Sequence, residues 1–523
     1  MNKLIFGLML AGPLGASAAY AQEAAPVEGG TVIVAVGAEP ATLLPSTSSG
    51  AAEASTGCMI HDGLVEIDGD GNYVPNLAKS WTISEDETSY AFELQEANWH
   101  DGEPFTSADV EYFFSDVVQY APLISGQLEG KIESVVTDGD HKVTVNLTEP
   151  FGPFLRMMAC FNGGALIPKH IYEGLNPSTD QAGLSPIGTG PFKFVEWNTG
   201  ESIRLEANDD YWRGDIPLDA AVVRIMPNAG SRVQALLAGE VDYIYSYFVP
   251  LNDFTSIEND PGLKLTLTGM PPNNLLGFFN IRKEPFSNKD VRQALFSVID
   301  RDFIWEAVFQ SRGLPATAPI PKQLKWAADP ELDYSDFYPM DVDAANAKLD
   351  AAGYERGADG TRFTTSIIYE ANNPERLQTA TIIQAAWDQL GVKAELMPLE
   401  NAIALPRVYE EHDFDVFIVS YNTYADPALG VARIWITNNL DRAWGNASGY
   451  SNPEIDAAFE EAGRLSDVAS RAAIYRELQK TLIDDLPTMT FHENVRVDAS
   501  TQKLKGLWGY EGYGQWYKAY LEQ

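Results

Sequence analysis

The apolar positions along the chain keep changing period. Residues 31–36 (Thr-Val-Ile-Val-Ala-Val) form an unbroken, β-branched run behind two glycines, which predicts a buried strand. Residues 89–94 and 142–147 alternate apolar and polar side chains, the period of a half-buried strand. Thr106-Ser107-Ala108-Asp109 supplies a cap and the start of a helix. Residues 231–239 carry a helical period and stop at Gly239, and Val241 to Tyr245 reads as the strand that follows. Further helices are expected at 289–300, 342–352, 376–390, 452–464 and 470–485, and strands at 364–369, 393–397 and 414–420. Strand and helix alternate through both halves, which argues for α/β lobes. No internal repeat, low-complexity tract or long flexible linker interrupts them, so the chain should cross between lobes as ordered strands.

Composition narrows the class. With 523 residues, 45% hydrophobic and 21% charged, the chain is globular. At about 100–200 residues per domain it has room for two to four domains or lobes. A formal net charge of −38 excludes general attraction to a nucleic-acid backbone or an anionic lipid surface. The amino terminus reads as a secretory leader: Lys3, an apolar stretch from Leu4 to Ala18, then Ala19-Tyr20-Ala21, with cleavage before Gln22. The apolar stretch is short of the ~20 residues that span a bilayer. No later segment supplies such a run, so no membrane insertion is expected. No cysteine stands at the cleavage point to carry a lipid. The expected address is the periplasm. That compartment permits disulfides, and the two cysteines, Cys58 and Cys160, are open to either a bridge or two buried thiols.

Catalytic signals are weak. Asp68-Gly-Asp70-Gly-Asn72 resembles the start of a calcium loop. Tyr73 and Lys79 stand where that loop needs Gly and Glu, so a polar hairpin turn is expected. Gly188-Thr189-Gly190 lacks the third glycine and the lysine of a phosphate loop. The six histidines are scattered singly, and His492-Glu493 has no second histidine at zinc spacing. There is no Gly-x-Ser-x-Gly elbow and no nucleophile signature around either cysteine. The sequence therefore points away from an enzyme and calls for no cofactor. The aromatic residues (11 Trp, 23 Tyr, 24 Phe) are more informative. Two clusters follow predicted strands and mix aromatic with polar groups: Tyr245-Ser246-Tyr247, and Tyr421-Asn422-Thr423-Tyr424-Ala425-Asp426. Ligand sites in α/β lobes favour strand ends.

Ordered segments then carry a resemblance. They are Trp99-His100-Asp101-Gly102-Glu103-Pro104-Phe105-Thr106-Ser107-Ala108-Asp109-Val110, Ile187-Gly188-Thr189-Gly190-Pro191-Phe192, and Asn208 with Tyr211-Trp212 and Gly214. Ala238-Gly239-Glu240-Val241-Asp242, Val291-Arg292-Gln293-Ala294-Leu295 with Asp300-Arg301, and Asn446 through Glu454 complete the order. From about residue 29 to the C-terminus the chain resembles the extracellular solute-binding proteins of ABC importers, peptide/nickel-binding family.

The resemblance implies an α/β, two-lobed periplasmic-binding-protein clamp with an extra subdomain on the first lobe, closing over its ligand about a hinge. Lobe I would comprise 22–55, 188–271 and 497–523, the extra subdomain 56–187, and lobe II 272–496. Both cysteines then fall in the extra subdomain, which favours the bridge. The implied partners are a small-molecule or short-peptide ligand and an inner-membrane ABC permease, with the chain acting as a monomer. Ligand contacts are expected from Glu39 in the loop after the first strand, from Tyr245, Ser246 and Tyr247, and from Asn273 and Asn274 at the crossover. In lobe II they are expected from Tyr369, Glu370 and Asn372, and from Tyr421, Asn422, Thr423, Tyr424 and Asp426, with Arg433 and Trp435 beyond. In peptide-binding members an Asp of the 421–427 loop pairs with the ligand ammonium, and here Thr423 stands in its place. Either Asp426 or Glu370 takes over, or the ligand is not a free peptide. The expected cargo is a peptide-like or amino-acid-derived solute. An oligosaccharide or opine is the alternative, and a secreted hydrolase the remote one.

Overall fold

The computed structural model describes residues 29–68, 72–267, 273–371, 373–437, 443–494, 496–507 and 515–522. The expected leader, Asn372 and the tip of the 67–73 turn lie outside them.

The apolar run Thr31–Val36 forms a central strand of a seven-stranded sheet. The sheet order is Leu263–Leu267, Val497–Thr501, Tyr243–Ile244, Thr31–Val36, Ala220–Ile225, Ser202–Ala207 and Phe192–Asn198. Alternation decides which core each side chain enters. Val32, Val34 and Val36 join one apolar cluster, while Ala35 joins the cluster on the opposite face. With both faces covered, a strand needs apolar residues at every position, and this run has them.

A six-stranded sheet builds the other lobe, ordered Leu314–Pro315, Thr488–Asn494, Asn273–Phe279, Val416–Asn422, Phe363–Glu370 and Val392–Leu399. It too is covered twice. Leu275 and Phe279 face one cluster, and Leu276 and Phe278 the other. The chain passes from the first sheet to the second between 267 and 273, and returns between 494 and 497. A four-stranded antiparallel sheet, ordered Ala78–Ile83, Ser89–Leu94, Lys142–Leu147 and Ile132–Thr137, has its own core around Trp99, Phe92 and Phe154.

The strands Ser89–Leu94 and Lys142–Leu147 match the expected ranges. Caps decide where helices begin. Asp109 accepts from the Thr106 N–H at 2.9 Å, and Asn228 starts Ala229–Leu237 by accepting from Ser231 N. Asn373 and Pro374 start the helix Pro374–Gln389 ahead of its apolar period. The helix expected over 289–300 stops at Ser297, because Asp300 caps a second helix, Arg301–Ala307, through the Phe303 N–H at 2.8 Å. The turn after residue 67 joins a short antiparallel pair, Val65–Ile67 with Tyr73–Pro75. Cys58 and Cys160 are bonded, with Cα atoms 6.0 Å apart.

Candidate functional site

The strand ends of the six-stranded sheet assemble a polar edge. In register, Asn273 stands opposite Asn422 on one side and Asn494 on the other. The next row inward is Glu493, Asn274 and Tyr421. Glu370 ends the parallel strand beside them. The Oδ1 atoms of Asn273 and Asn274 and the Oγ1 of Thr423 are buried with no hydrogen-bond partner among the described residues. Buried polar atoms are normally paired, so these are places for a ligand or water to bind.

The loop after Asn422 is folded tightly. Asn422 Oδ1 accepts from Tyr424 N at 2.7 Å. Tyr424 and Ala425 hold positive φ angles of 49° and 52°. A Cβ on Gly430 would stand 2.1 Å from the Thr423 carbonyl carbon, so only glycine lets the turn Pro427–Val431 lie against Thr423. Arg433 is clamped between the rings of Tyr421 and Tyr424, 5.0 and 5.1 Å from their centroids. It donates to the carbonyls of Asn422 and Gly430 at 2.9 and 3.1 Å. No carboxylate pairs with it among the described residues.

The two acids expected near a ligand amine already have cationic partners. Asp426 accepts from Arg471 at 2.6 Å, with side chains 3% and 4% exposed, and it also caps the following turn through Ala428 N. Glu370 lies 2.8 Å from Arg376 and accepts from Asn401 Nδ2 at 2.9 Å. Glu493 is buried and accepts from the N–H groups of Lys322 and Gln323; burial pushes its carboxyl up to about 7.

On the facing lobe, Ser246 N donates to Asp498 at 2.8 Å, and the Arg496 guanidinium lies 3.6 Å from the centroid of the Tyr247 ring. Asp498 is buried, and that burial raises its carboxyl to about 8. Glu493 and Asp498 thus stand on either side of the return crossing between the lobes.

The other expected contacts are engaged by groups within the protein. Glu39 is exposed and holds the Trp197–Gly200 turn, accepting from Trp197 Nε1 at 3.0 Å and Gly200 N at 2.9 Å. Tyr245 is in the lobe I core, its hydroxyl donating to Ser55 O at 2.7 Å and accepting from Trp516 Nε1 at 3.0 Å. Tyr369 belongs to a lobe II core cluster. Trp435 is buried against Phe459 and donates to Thr488 Oγ1. Tyr421 is buried as well, bonded to Tyr409 and to Gly445 O. Sequence reasoning missed Arg471, Arg376, Arg496 and Asp498. Each lies far along the chain from its partner or outside the clusters that composition marks out, and no spacing signals it.

Among the described residues no group of His, Cys, Asp and Glu is placed to hold a metal ion, and no helix is long and apolar enough to cross a membrane.

Two doubly covered sheets, joined by strand crossings, make a two-lobed α/β clamp of the periplasmic-binding-protein type. The chain belongs to the bacterial extracellular solute-binding proteins, family 5, whose middle-region model matches residues 72–440. It is 29% identical to heme-binding protein A of Haemophilus influenzae, over 91% of this chain and 89% of that protein. Among solved structures it is similar to HbpA2 from Haemophilus parasuis (TM-score 0.82, 26% identity, covering 94% of this chain and 100% of that one). It is also similar to the periplasmic binding protein DppA from Helicobacter pylori in complex with the peptide STSA (TM-score 0.76, 26% identity, 95% and 99%).

Proposed function

We propose that the protein captures a small peptide-like or amino-acid-derived solute between its lobes and delivers it to an inner-membrane ABC permease. It works in the periplasm as a monomer, after loss of residues 1–21, and does no covalent chemistry. Lobe I is 22–55, 188–271 and 497–523, the extra subdomain 56–187, and lobe II 272–496. Binding acts through population: a solute that touches both lobes only when they are closed shifts the protein to the closed form.

The observation that carries the ligand class is the lobe II strand edge. Among the described residues, Asn273 Oδ1 and Asn274 Oδ1 are acceptors without an N–H donor, Thr423 Oγ1 adds a hydroxyl, and Arg433 offers a cation with no carboxylate partner. A solute with amide N–H groups and a carboxylate answers all of them. The co-crystallised peptide of the Helicobacter pylori neighbour supports the same class. Because Asp426 and Glu370 are already paired, the solute's amine is either blocked or held by the carbonyl and hydroxyl groups of the cleft.

The test is mass spectrometry on protein purified without refolding, then denatured to release its cargo. Masses built from amino-acid residues, together with about tenfold weaker rebinding by Arg433→Gln, are expected. A sugar or a heme mass would refute the reading.

A further inference from the structure

We propose that Arg156 of the extra subdomain is a positioning residue for the lobe II loop 421–431, and that the Cys58–Cys160 bridge fixes it relative to lobe I. Arg156 sits in the short helix Phe154–Met157, whose four side chains are all buried in the subdomain core. A guanidinium is costly in such a place unless its hydrogen bonds are made. Its Nε donates 2.7 Å across the lobe boundary to the carbonyl of Tyr424. Tyr424 and Ala425 are the two positive-φ residues of that loop, so the bond lands on the peptide whose conformation most needs outside support.

Packing follows the same line. Leu429, from the far end of the loop, is buried in the subdomain's apolar cluster, with Tyr424 packed against it. The contact continues through Gly152 N to Gly463 O at 2.8 Å and Ser466 N to Glu87 Oε2 at 2.7 Å. A Cβ on Gly152 would stand 2.0 Å from Leu465 O. On the other side of Arg156 the chain reaches Cys160. Its bridge ties the segment to Cys58 at the end of the helix Ala51–Gly57, which contributes Ala52 to a lobe I core. A continuous physical path therefore runs from lobe I, through the bridge and Arg156, to the loop carrying Thr423 and Tyr424. The extra subdomain shapes the solute site from outside it. This rests on the reading that the loop faces the solute.

The test needs no solute. Amide hydrogen exchange is followed by mass spectrometry on the mature chain as wild type, Arg156→Ala, Arg156→Lys, Gly152→Ala and the double variant Cys58→Ser/Cys160→Ser. Arg156→Ala should speed exchange in 421–431 at least tenfold and leave the subdomain strands 89–94 and 142–147 unchanged. Arg156→Lys should keep most of the protection. Gly152→Ala, which displaces the contact without touching Arg156, should expose the same loop, and the cysteine variant should do so to a smaller degree. If Arg156→Ala fails to fold, Gly152→Ala decides. Unchanged exchange in 421–431, or a rise shared with the subdomain strands as a merely structural role would give, overturns the proposal. Failure of the cargo assay would leave this result standing, and the reverse holds too.

Discussion

Replacing Asp426 by Ala separates a structural carboxylate from a ligand-binding one. The Asp426–Arg471 pair is 2.6 Å long and almost fully buried. Removing the acid strands Arg471 among Trp326, Tyr475 and the Ala462 carbonyl, to which its Nε still donates at 2.8 Å. Breaking a buried pair from one side costs about 3–5 kcal/mol, chiefly the desolvation of the abandoned charge. Losing the cap on Ala428 N adds about 1 kcal/mol. The assay is urea unfolding of wild type, Asp426→Ala, Arg471→Ala and the double variant. Asp426→Ala should lower stability by about 4–6 kcal/mol. The double variant should be less destabilised than the sum of the singles, because no charge is then left alone. If Asp426→Ala unfolds like wild type but loses its solute, the carboxylate serves the ligand and the ion-pair reasoning is wrong.

Other consequences can be measured directly. The bridge closes a loop with a sequence separation of 102, so Cys58→Ser/Cys160→Ser should cost up to about 4–5 kcal/mol in the chain-entropy picture, read as a lower urea midpoint. Gly430→Ala should push Thr423 out of place and weaken solute binding about tenfold or more by calorimetry; unchanged affinity would show that the close approach does not set the site. Stability should fall from both sides of a middle pH range. Burial raises Glu493 to about 7 from 4.5, so its contribution is complete below 4.5 and is lost as pH rises through 7. Burial lowers His492 to about 4 and His61 to about 3 from 6.5, so theirs is complete above 6.5 and is lost as pH falls through those values. Glu493→Gln should remove about 3 kcal/mol of the alkaline fall, at about 1.4 kcal/mol per pH unit, and leave the acid fall intact; an unaltered alkaline limb would refute the assignment.

Much of the architecture is local information. A run such as Thr31–Val36 needs two covering layers, and alternation over 89–94 or 142–147 needs one, whatever the rest of the chain does. Caps such as Asn373 and Asp300 act within three residues, so helix starts follow from the sequence once each cap is recognised. Overlooking Asp300 as a cap ran the first helix on to residue 300 and left Arg301–Ala307 unexpected. The polar loops at 245–247 and 421–426 were also visible as candidates, because their composition departs from that of the strands before them.

Composition could not assign their roles. Tyr245, Trp435 and Tyr421 look like ligand aromatics in the sequence, and the fold buries them with internal hydrogen-bond partners. Asp426 reads as a spare carboxylate until a helix 45 residues later brings Arg471 to it. Arg156 and Tyr424, 268 residues apart, have nothing in either neighbourhood to announce their bond. By itself the sequence determined the periodicity, the caps, the location of the cysteines and the ordered segments of the resemblance, because each is written within a few residues. Only the tertiary structure decided which charges neutralise one another, which polar atoms are left open and which subdomain braces the loop. Those pairings depend on where strand crossings place distant segments, and no local period records that.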